Sequence, residues 1–588
     1  MFYILLTESE KLHITPLKEV SYLQEKTEVL LPSLPLSVAL CLLDEISNKK
    51  TKAERSTTFW TRWRKGEEKV LKRDRDWLKE ELLKVLQKRV NVSQAWHWEG
   101  MESFQLNSEE KIRDKNREDF QARTAGRLLA KADLQRLGKE CHIPYAEVLF
   151  LCHEQISKGY GEWIPAVIKD GQGWRCQRCG GIRVEEWVSI YGLTATCVEC
   201  TVLGAVSSLH ALYRSIGPPD RNWVKDIKLV FSPRWELSKA QRLASQDILK
   251  YVQGDSTSEC VEREILLWAA CGAGKTEVCF PATAWALERG KRVLFAAPRQ
   301  DVIHDVAPRL QEDFPDLQVS VLTGISPEHF ASSHLVIATT HQILRFYQAF
   351  DVIFLDEMDA FPYYGNNALA WGIQQALRLG GKIVYLTATP TTESLDKVRR
   401  GKMGLIRIPA RHHRRAIPMP EWRKVSEALE PERFSRHPSL KVWEWLKESV
   451  QLGPILIFVP KISWVNSWVD LLQSEFPEWT IAGSYSSDPA RREKVDGLRR
   501  RKYDAFVCTS ILERGITIPD AQVVVLQADH ELFDVRALVQ MAGRVGRTQE
   551  NPTGSALFLA AGKTPGMEKA MAWIREQNEI ALTQGLID

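Results

Sequence analysis

Residues 266–278 read LLWAACGAGKTEV, an apolar strand-like run that passes through a glycine-rich turn into a helix-like segment. A phosphate-binding loop needs that context, because it hangs between the end of a strand and the N-terminus of a helix. The pattern is Ala-x-x-x-x-Gly-Lys-Thr, with Ala269 where the common form has its first glycine. Gly272, Ala273 and Gly274 keep side-chain bulk away, so successive backbone N–H groups can surround phosphate oxygens. Lys275 is expected to reach the β and γ oxygens of ATP and Thr276 to ligate Mg2+. Glu277 completes this candidate nucleotide-binding set.

Outward from this loop, the runs ILLWAA, RVLFAAP, HLVIATT, DVIFLDE and KIVYLTATP alternate with helix-length amphipathic stretches. That rhythm predicts repeated βαβ units and a parallel sheet buried on both faces. A second series follows in PILIFVP, WTIAG, DAFVCTS, QVVVLQA and ALFLAA. Between the two lies RIPARHHRRAIPMPEW, residues 407–422, rich in proline and cations and read as an interdomain linker. The expected organisation is therefore two α/β domains in tandem, over 225–410 and 425–588.

The apolar run DVIFLDEMDA ends in Asp356 and Glu357. Adjacent carboxylates at the C-terminal end of a strand suit an Mg2+ partner and a base that orients the attacking water. A helix-capping acid pair is the alternative, weakened by the phosphate loop upstream. In QMAGRVGR, Gln540, Arg544 and Arg547 fall three or four residues apart and share one helical face. Cations offered from a second domain to a nucleotide on the first act as arginine fingers, worth ~10³ to 10⁵ in rate. A basic solvated helix is the alternative here, though it leaves the two glycines unexplained.

Cys176 and Cys179 in GWRCQRCGG are matched by Cys197 and Cys200 in CVEC, giving C-x₂-C-x₁₇-C-x₂-C. Four thiolates are the ligand set of a closed tetrahedral zinc site, and a redox pair needs no second CxxC. The module, placed at 166–205, is expected to be a four-cysteine zinc ribbon in which RVEEWVSIYG forms hairpin strands between the two knuckles. Trp174, Arg175, Gln177, Arg178 and Arg183 offer a stacking and cationic surface, so the ribbon is expected to contact DNA; a structural clip is the competing role.

The 79 Lys plus Arg against 75 Asp plus Glu give a net charge of +4, so total charge says little about partners. Residues 1–165 are expected to form an accessory region of mainly helical character. Between Lys49 and Arg89 there are 15 basic and 7 acidic residues, interleaved with Trp60, Trp63 and Trp77. Nucleic-acid binding and a solvated helix both fit that composition. The apolar start MFYILL has no preceding basic region, and Val29–Leu43 carries two prolines. Neither matches a signal peptide or a spanning helix, which leaves a soluble, cytoplasmic protein as the expectation.

The ordered segments AACGAGKT, APRQ, TG, ATTHQ, DEMD, TAT, TSILERGIT and QMAGRVGR resemble the motif series of superfamily 2 DNA helicases and translocases. The resemblance implies tandem RecA-like domains. It also implies that Gln241 recognises adenine, that TAT couples hydrolysis to strand movement, and that Pro298, Arg299, Thr339 and Thr509 lie in motifs touching the nucleic-acid backbone. More narrowly, the four-cysteine module, TVLGAVSSLHALYR and DEMDAFPYYGN resemble the ComFA family of late competence ATPases. That family usually has valine where this chain has Met358. The implied activity is ATP-driven translocation of single-stranded DNA during natural transformation. Its implied partners are other competence proteins and a membrane DNA channel, with the motor peripheral at the cytoplasmic face. The runs RHHRR (411–415) and RRRK (499–502) fit phosphate tracking and solvated surface equally well. Three rivals stand beside this: a replication-restart or repair helicase, a non-catalytic DNA-binding scaffold, and an RNA helicase.

Overall fold

The structure, a computed structural model, describes residues 3–7, 12–15, 27–29, 34–36, 38–40, 42, 114–217, 231, 233–234, 236–254, 263–512 and 518–588. The basic tryptophan-bearing segment 49–89 lies outside the described residues, as do Glu513–Thr517 of the TSILERGIT motif.

The first α/β domain is built on a seven-stranded sheet. Its spatial order is Val319–Leu322, Leu335–Thr339, Val293–Ala297, Phe350–Asp356, Leu377–Thr387, Glu264–Ala269 and Gly404–Ile408. Every pairing in it is parallel. VLFAA and LVIAT are apolar at nearly every position because both faces of the sheet are covered, and both strands are buried throughout. The second domain has a six-stranded parallel sheet, ordered Glu421–Lys424, Ala556–Ala560, Gln522–Leu526, Ile455–Phe458, Ala505–Cys508 and Ile481–Ser484. Parallel strands need crossover connections, and the helices that make them set the ends of the strands, where loops collect, facing the neighbouring domain.

N-terminal to the motor, Leu128–Ala130, Ala211–Ser215 and Gly161–Pro165 form an antiparallel sheet packed with the helices Asp114–Thr124, Lys131–Cys141 and Tyr145–Ser157. Further strands at Tyr3–Thr7, Leu12–Thr15 and Thr27–Val29 pair antiparallel. The cysteine module emerges between two neighbours of the antiparallel sheet, Gly161–Pro165 and Ala211–Ser215, so it is an insertion within that unit. It consists of two hairpins, Val167–Asp170 with Gly173–Cys176 and Val184–Ser189 with Gly192–Cys197.

This unit is welded to the first α/β domain. Leu128 N–H donates to the Arg345 carbonyl at 2.8 Å, and Arg345 Nε pairs with the buried Asp133 carboxylate at 2.8 Å. Gly126 has φ +70°, and a Cβ there would stand 2.7 Å from Ala349 Cβ, so glycine serves both the left-handed turn and the close approach. The ribbon docks as closely. A Cβ on Gly180 would lie 2.4 Å from the Trp371 ring, and Gln375 Nε2 donates to the Gln177 carbonyl at 3.3 Å. Both partners sit on the helix Asn367–Ala376, which follows the DEMD loop.

Candidate active site

The helix Lys239–Gln253 opens on a capping box. Gln241 N–H donates to Ser238 Oγ, and Ser238 N–H donates to Gln241 Oε1. That box turns the other end of the Gln241 amide toward the phosphate loop, where Nε2 donates to the Ala273 carbonyl at 2.9 Å. Gly272 and Gly274 both adopt positive φ, +79° and +69°, as a loop that wraps its N–H groups inward requires. The loop is anchored behind by Ala270 N–H donating to the Ile408 carbonyl at 2.7 Å.

Lys275 Nζ lies 3.1 Å from Asp356 Oδ1. Burial favours the neutral amine, but the charges of Asp356 and Glu357 outweigh it and raise the Lys275 pKa. Glu357 takes φ +51°, a strained value for a non-glycine residue, and its N–H donates to Asp356 Oδ1 at 2.7 Å. Asp359 accepts Thr387 Oγ1 at 2.6 Å and Thr389 Oγ1 at 2.5 Å. Gln540 Nε2 donates to that same Thr389 Oγ1 at 3.2 Å, so a hydrogen-bonded chain joins DEMD, TAT and the second domain.

A cavity of about 550 Å³ opens between the domains. Gln241, Gly272, Ala273, Gly274, Lys275, Thr276, Glu277, Asp356 and Glu357 line it from the first domain, and Gln540, Arg544 and Arg547 from the second. Burial, then repulsion from Arg547, pulls the Arg544 pKa well below its usual value, with Glu357 opposing the shift. Such cations are set to gain from an incoming polyphosphate, because a desolvated charge regains in the complex what it lost in the fold.

Several residues at this site escaped the sequence reasoning. Arg309 lines the cavity, and its Nη1 pairs with Glu277 Oε1 at 2.6 Å, so the Glu277 carboxylate is engaged by protein. Arg411, assigned to a phosphate-tracking or solvated run, is instead wholly buried. Its Nε donates to the Cys271 carbonyl at 2.8 Å; its other nitrogens donate to Gly543 at 3.0 Å, Val545 at 2.7 Å and Gly546 at 2.5 Å. Burial, with Arg547 adding to it, lowers its pKa to about 9. One guanidinium thus bridges the phosphate loop and the QMAGRVGR turn. In the run RHHRR nothing local marks which cation turns inward, because the carbonyls that receive it lie more than a hundred residues away.

Gly543 meets the phosphate loop directly, since a Cβ there would come within 2.4 Å of Cys271 Cβ and 2.8 Å of its Sγ. Gly543→Ala is therefore expected to open the interface at an overpacking penalty of about 1–3 kcal/mol, seen as a raised KM for ATP. Adding Cys271→Gly, which removes the opposing side chain, should restore much of the loss. Independent, additive effects in that double-mutant cycle would refute the contact.

The four module thiols lie within 4.8 Å of one another, all buried. Sγ separations of 3.8 Å (Cys176 to Cys200), 3.6 Å (Cys179 to Cys197) and 3.7 Å (Cys197 to Cys200) match the edge of about 3.8 Å that a tetrahedron with Zn–S bonds of about 2.3 Å requires. The donor set therefore fits zinc. Hydrogen bonding to Cys176 and Cys179, with the Arg178 charge nearby, lowers the pKa of the Cys200 thiol. Arg178, expected on the DNA-facing surface, is buried, and its Nη2 donates to Cys200 Sγ at 3.0 Å and to the Cys200 carbonyl at 2.8 Å. It therefore faces the thiols, as an outer partner that balances their charge. Trp174 Nε1 donates to Glu186 at 2.6 Å.

Of the residues placed by resemblance on the nucleic-acid path, Thr339 occupies the N-cap position of the helix Thr340–Ile343 at a strand end without a side-chain capping bond, and Arg299 pairs with Asp301 at 2.7 Å. Among the described residues, no helix is long and apolar enough to cross a membrane.

Two family models match the chain. One is described as type III restriction enzyme, res subunit, over residues 234–392, and the other as helicase conserved C-terminal domain, over 441–549. The chain is 35% identical to competence protein ComFA of Bacillus subtilis, over 76% of this chain and 96% of that protein. It is likewise 35% identical to competence protein ComFA of Streptococcus pneumoniae, over 71% and 94%. A more distant likeness, 24% identity over 58% of this chain and 51% of the other, is to the ATP-dependent DNA helicase RecG of Streptococcus pneumoniae.

Proposed function

The chain belongs to the ComFA competence protein family, built on superfamily 2 helicase domains, and from that premise we propose that it is an ATP-driven motor moving single-stranded DNA during transformation. The observation that carries this reading is the cavity over the phosphate loop, into which both domains send charged residues. A nucleotide held there would be gripped from two sides, so ATP binding would close the domains and hydrolysis with product release would open them.

In this mechanism the phosphate-loop N–H groups and Lys275 bind the β and γ phosphates, and Gln241 meets the adenine. Thr276 and Asp356 would hold Mg2+, which when bound neutralises charge on the β and γ oxygens. Glu357 orients the attacking water and accepts its proton. Arg544 and Arg547, with Gln540 beside them, stabilise the charge that develops on the transferred phosphoryl group. The chain Gln540–Thr389–Asp359 then carries the change at the nucleotide into the relative position of the domains. The ribbon would hold zinc through Cys176, Cys179, Cys197 and Cys200 and act with the first domain as one body. A membrane DNA channel and other competence proteins would be separate partners at the cytoplasmic face.

ATP turnover measured with and without single-stranded DNA tests the reading. Turnover is expected to rise several-fold with single-stranded DNA, less with RNA, and to be supported without separation of a forked duplex. Turnover indifferent to every nucleic acid would contradict it, and efficient strand separation would favour a repair-type helicase.

A further inference from the structure

The loop that follows Glu357 is tied down at both ends and free in the middle. Asp359 is buried and bonded to Thr387 and Thr389, and Tyr363 is buried. Tyr364 lies under the Arg536 guanidinium, 4.2 Å from its ring centroid. Arg536 belongs to the second-domain helix Val535–Ala542, the same helix that carries Gln540. Between these anchors Phe361 is 85% exposed, the most exposed large apolar side chain among the described residues. The anchors on either side hold the ring out in water, where it is presented to whatever enters the space beside it.

Phe361 stands in a second interdomain cleft of about 1200 Å³, which adjoins the nucleotide cavity and shares Asp305 with it. Arg299 enters that cleft from the first domain, and Arg491, Arg492 and Arg499 enter from the second. Asp301, Asp305 and Asp496 lie among them, and Asp301 spans the domains to Arg491 at 3.5 Å. Four arginines and three carboxylates share the cleft with Phe361, Arg299 and Arg491 meeting Asp301 and Arg499 meeting Asp496 at 3.6 Å, and a groove that combines an aromatic ring with guanidinium groups is a surface that single-stranded nucleic acid recognises without sequence preference.

We propose that Phe361 is a base-stacking residue for single-stranded DNA in this cleft, and that its loop reports the strand's presence to Glu357 and to the second domain. The inference rests on the single-stranded DNA motor reading above. The ring is carried only four positions beyond Glu357. A base stacked on Phe361 holds the segment from Glu357 to Tyr364 in one arrangement, and with it the Tyr364–Arg536 contact that spans the domains. Strand binding and the closed, hydrolysing state then favour each other by linkage.

The test compares the full chain with Phe361→Ala and Phe361→Trp, using a fluorescent oligo-dT and an abasic oligonucleotide of equal length at fixed salt. Phe361→Ala is expected to weaken oligo-dT binding about five- to 150-fold, the size of one base stack. The oligo-dT concentration giving half-maximal stimulation of ATP turnover should shift by a similar factor. Phe361→Trp should restore both, and binding of the abasic strand should be the same in all three proteins. If the parent binds and responds to oligo-dT and Phe361→Ala behaves identically, stacking at Phe361 is overturned while the motor reading stands. Equal losses on the abasic strand would also overturn it, by showing a backbone or folding effect. A parent protein that neither binds nor responds to oligo-dT overturns the motor reading and this inference together.

Discussion

Lys275→Ala is expected to lower ATP turnover by about 10²- to 10³-fold, the loss seen when one preorganised charge stabilising a transition state is removed. The size follows from position. Lys275 Nζ is held 3.1 Å from Asp356, and the acid pair keeps it fully protonated despite burial, so its charge is in place before substrate arrives. No rearrangement is needed at the moment of reaction, which is where fixed charges gain most over water. Alanine would also leave Asp356 and Glu357 facing each other without a cation between them, so nucleotide affinity should fall too. Turnover in a steady-state assay, together with an unchanged melting profile and zinc content, makes the check. Activity within about tenfold of the parent would mean that the phosphoryl group is gripped elsewhere.

Cys176→Ala combined with Cys179→Ala is expected to abolish zinc binding and to destabilise the first α/β domain as well as the ribbon. Structural zinc contributes on the order of 10 kcal/mol in small modules that lack a core of their own. Here the damage should spread. The four cysteines belong to one apolar cluster with Leu266, Leu294, Ile353, Leu369 and Ile373 of the first domain, and the Gly180 knuckle is pressed against Trp371. Zinc content by mass spectrometry of the native protein should drop from one to none per chain. Limited proteolysis should then cut within 184–197, and the melting temperature should fall even with nucleotide bound. Native protein that holds no metal, with four thiols that react freely and no change in melting on chelation, would remove the metal from the account.

The readable parts of the sequence were those whose chemistry is local. A phosphate loop needs particular residues at adjacent positions, so AACGAGKT declares itself; the acid pair at the end of a strand and the two CxxC pairs do the same. Parallel sheets were legible because burial on both faces leaves uninterrupted apolar runs such as VLFAA. Pairings across long separations were not. Arg411 sits in a run with two histidines and two further arginines, and the carbonyls of Cys271, Gly543, Val545 and Gly546 are what single it out. Arg178 looked like a surface cation beside a knuckle, yet the thiol of Cys200, 22 residues on, draws it inward. Nothing in DEMDAFPYYGN distinguished Phe361 from Tyr364, both of them exposed, because the cation that covers the Tyr364 ring, Arg536, comes from the other domain. The insertion of the ribbon inside an antiparallel sheet was equally invisible, because strands of three to five residues carry little pattern.

Arg411 also bears on the rhythm of the motor. It belongs to the tether between the domains and fastens to both of them at once, through one carbonyl on the phosphate loop and three on the opposing turn. Pulling the domains apart by a small distance would strand a desolvated guanidinium between two half-satisfied partners, a costlier arrangement than either end state. An opening between the domains would therefore have to break this bridge, so the tether resists small separations.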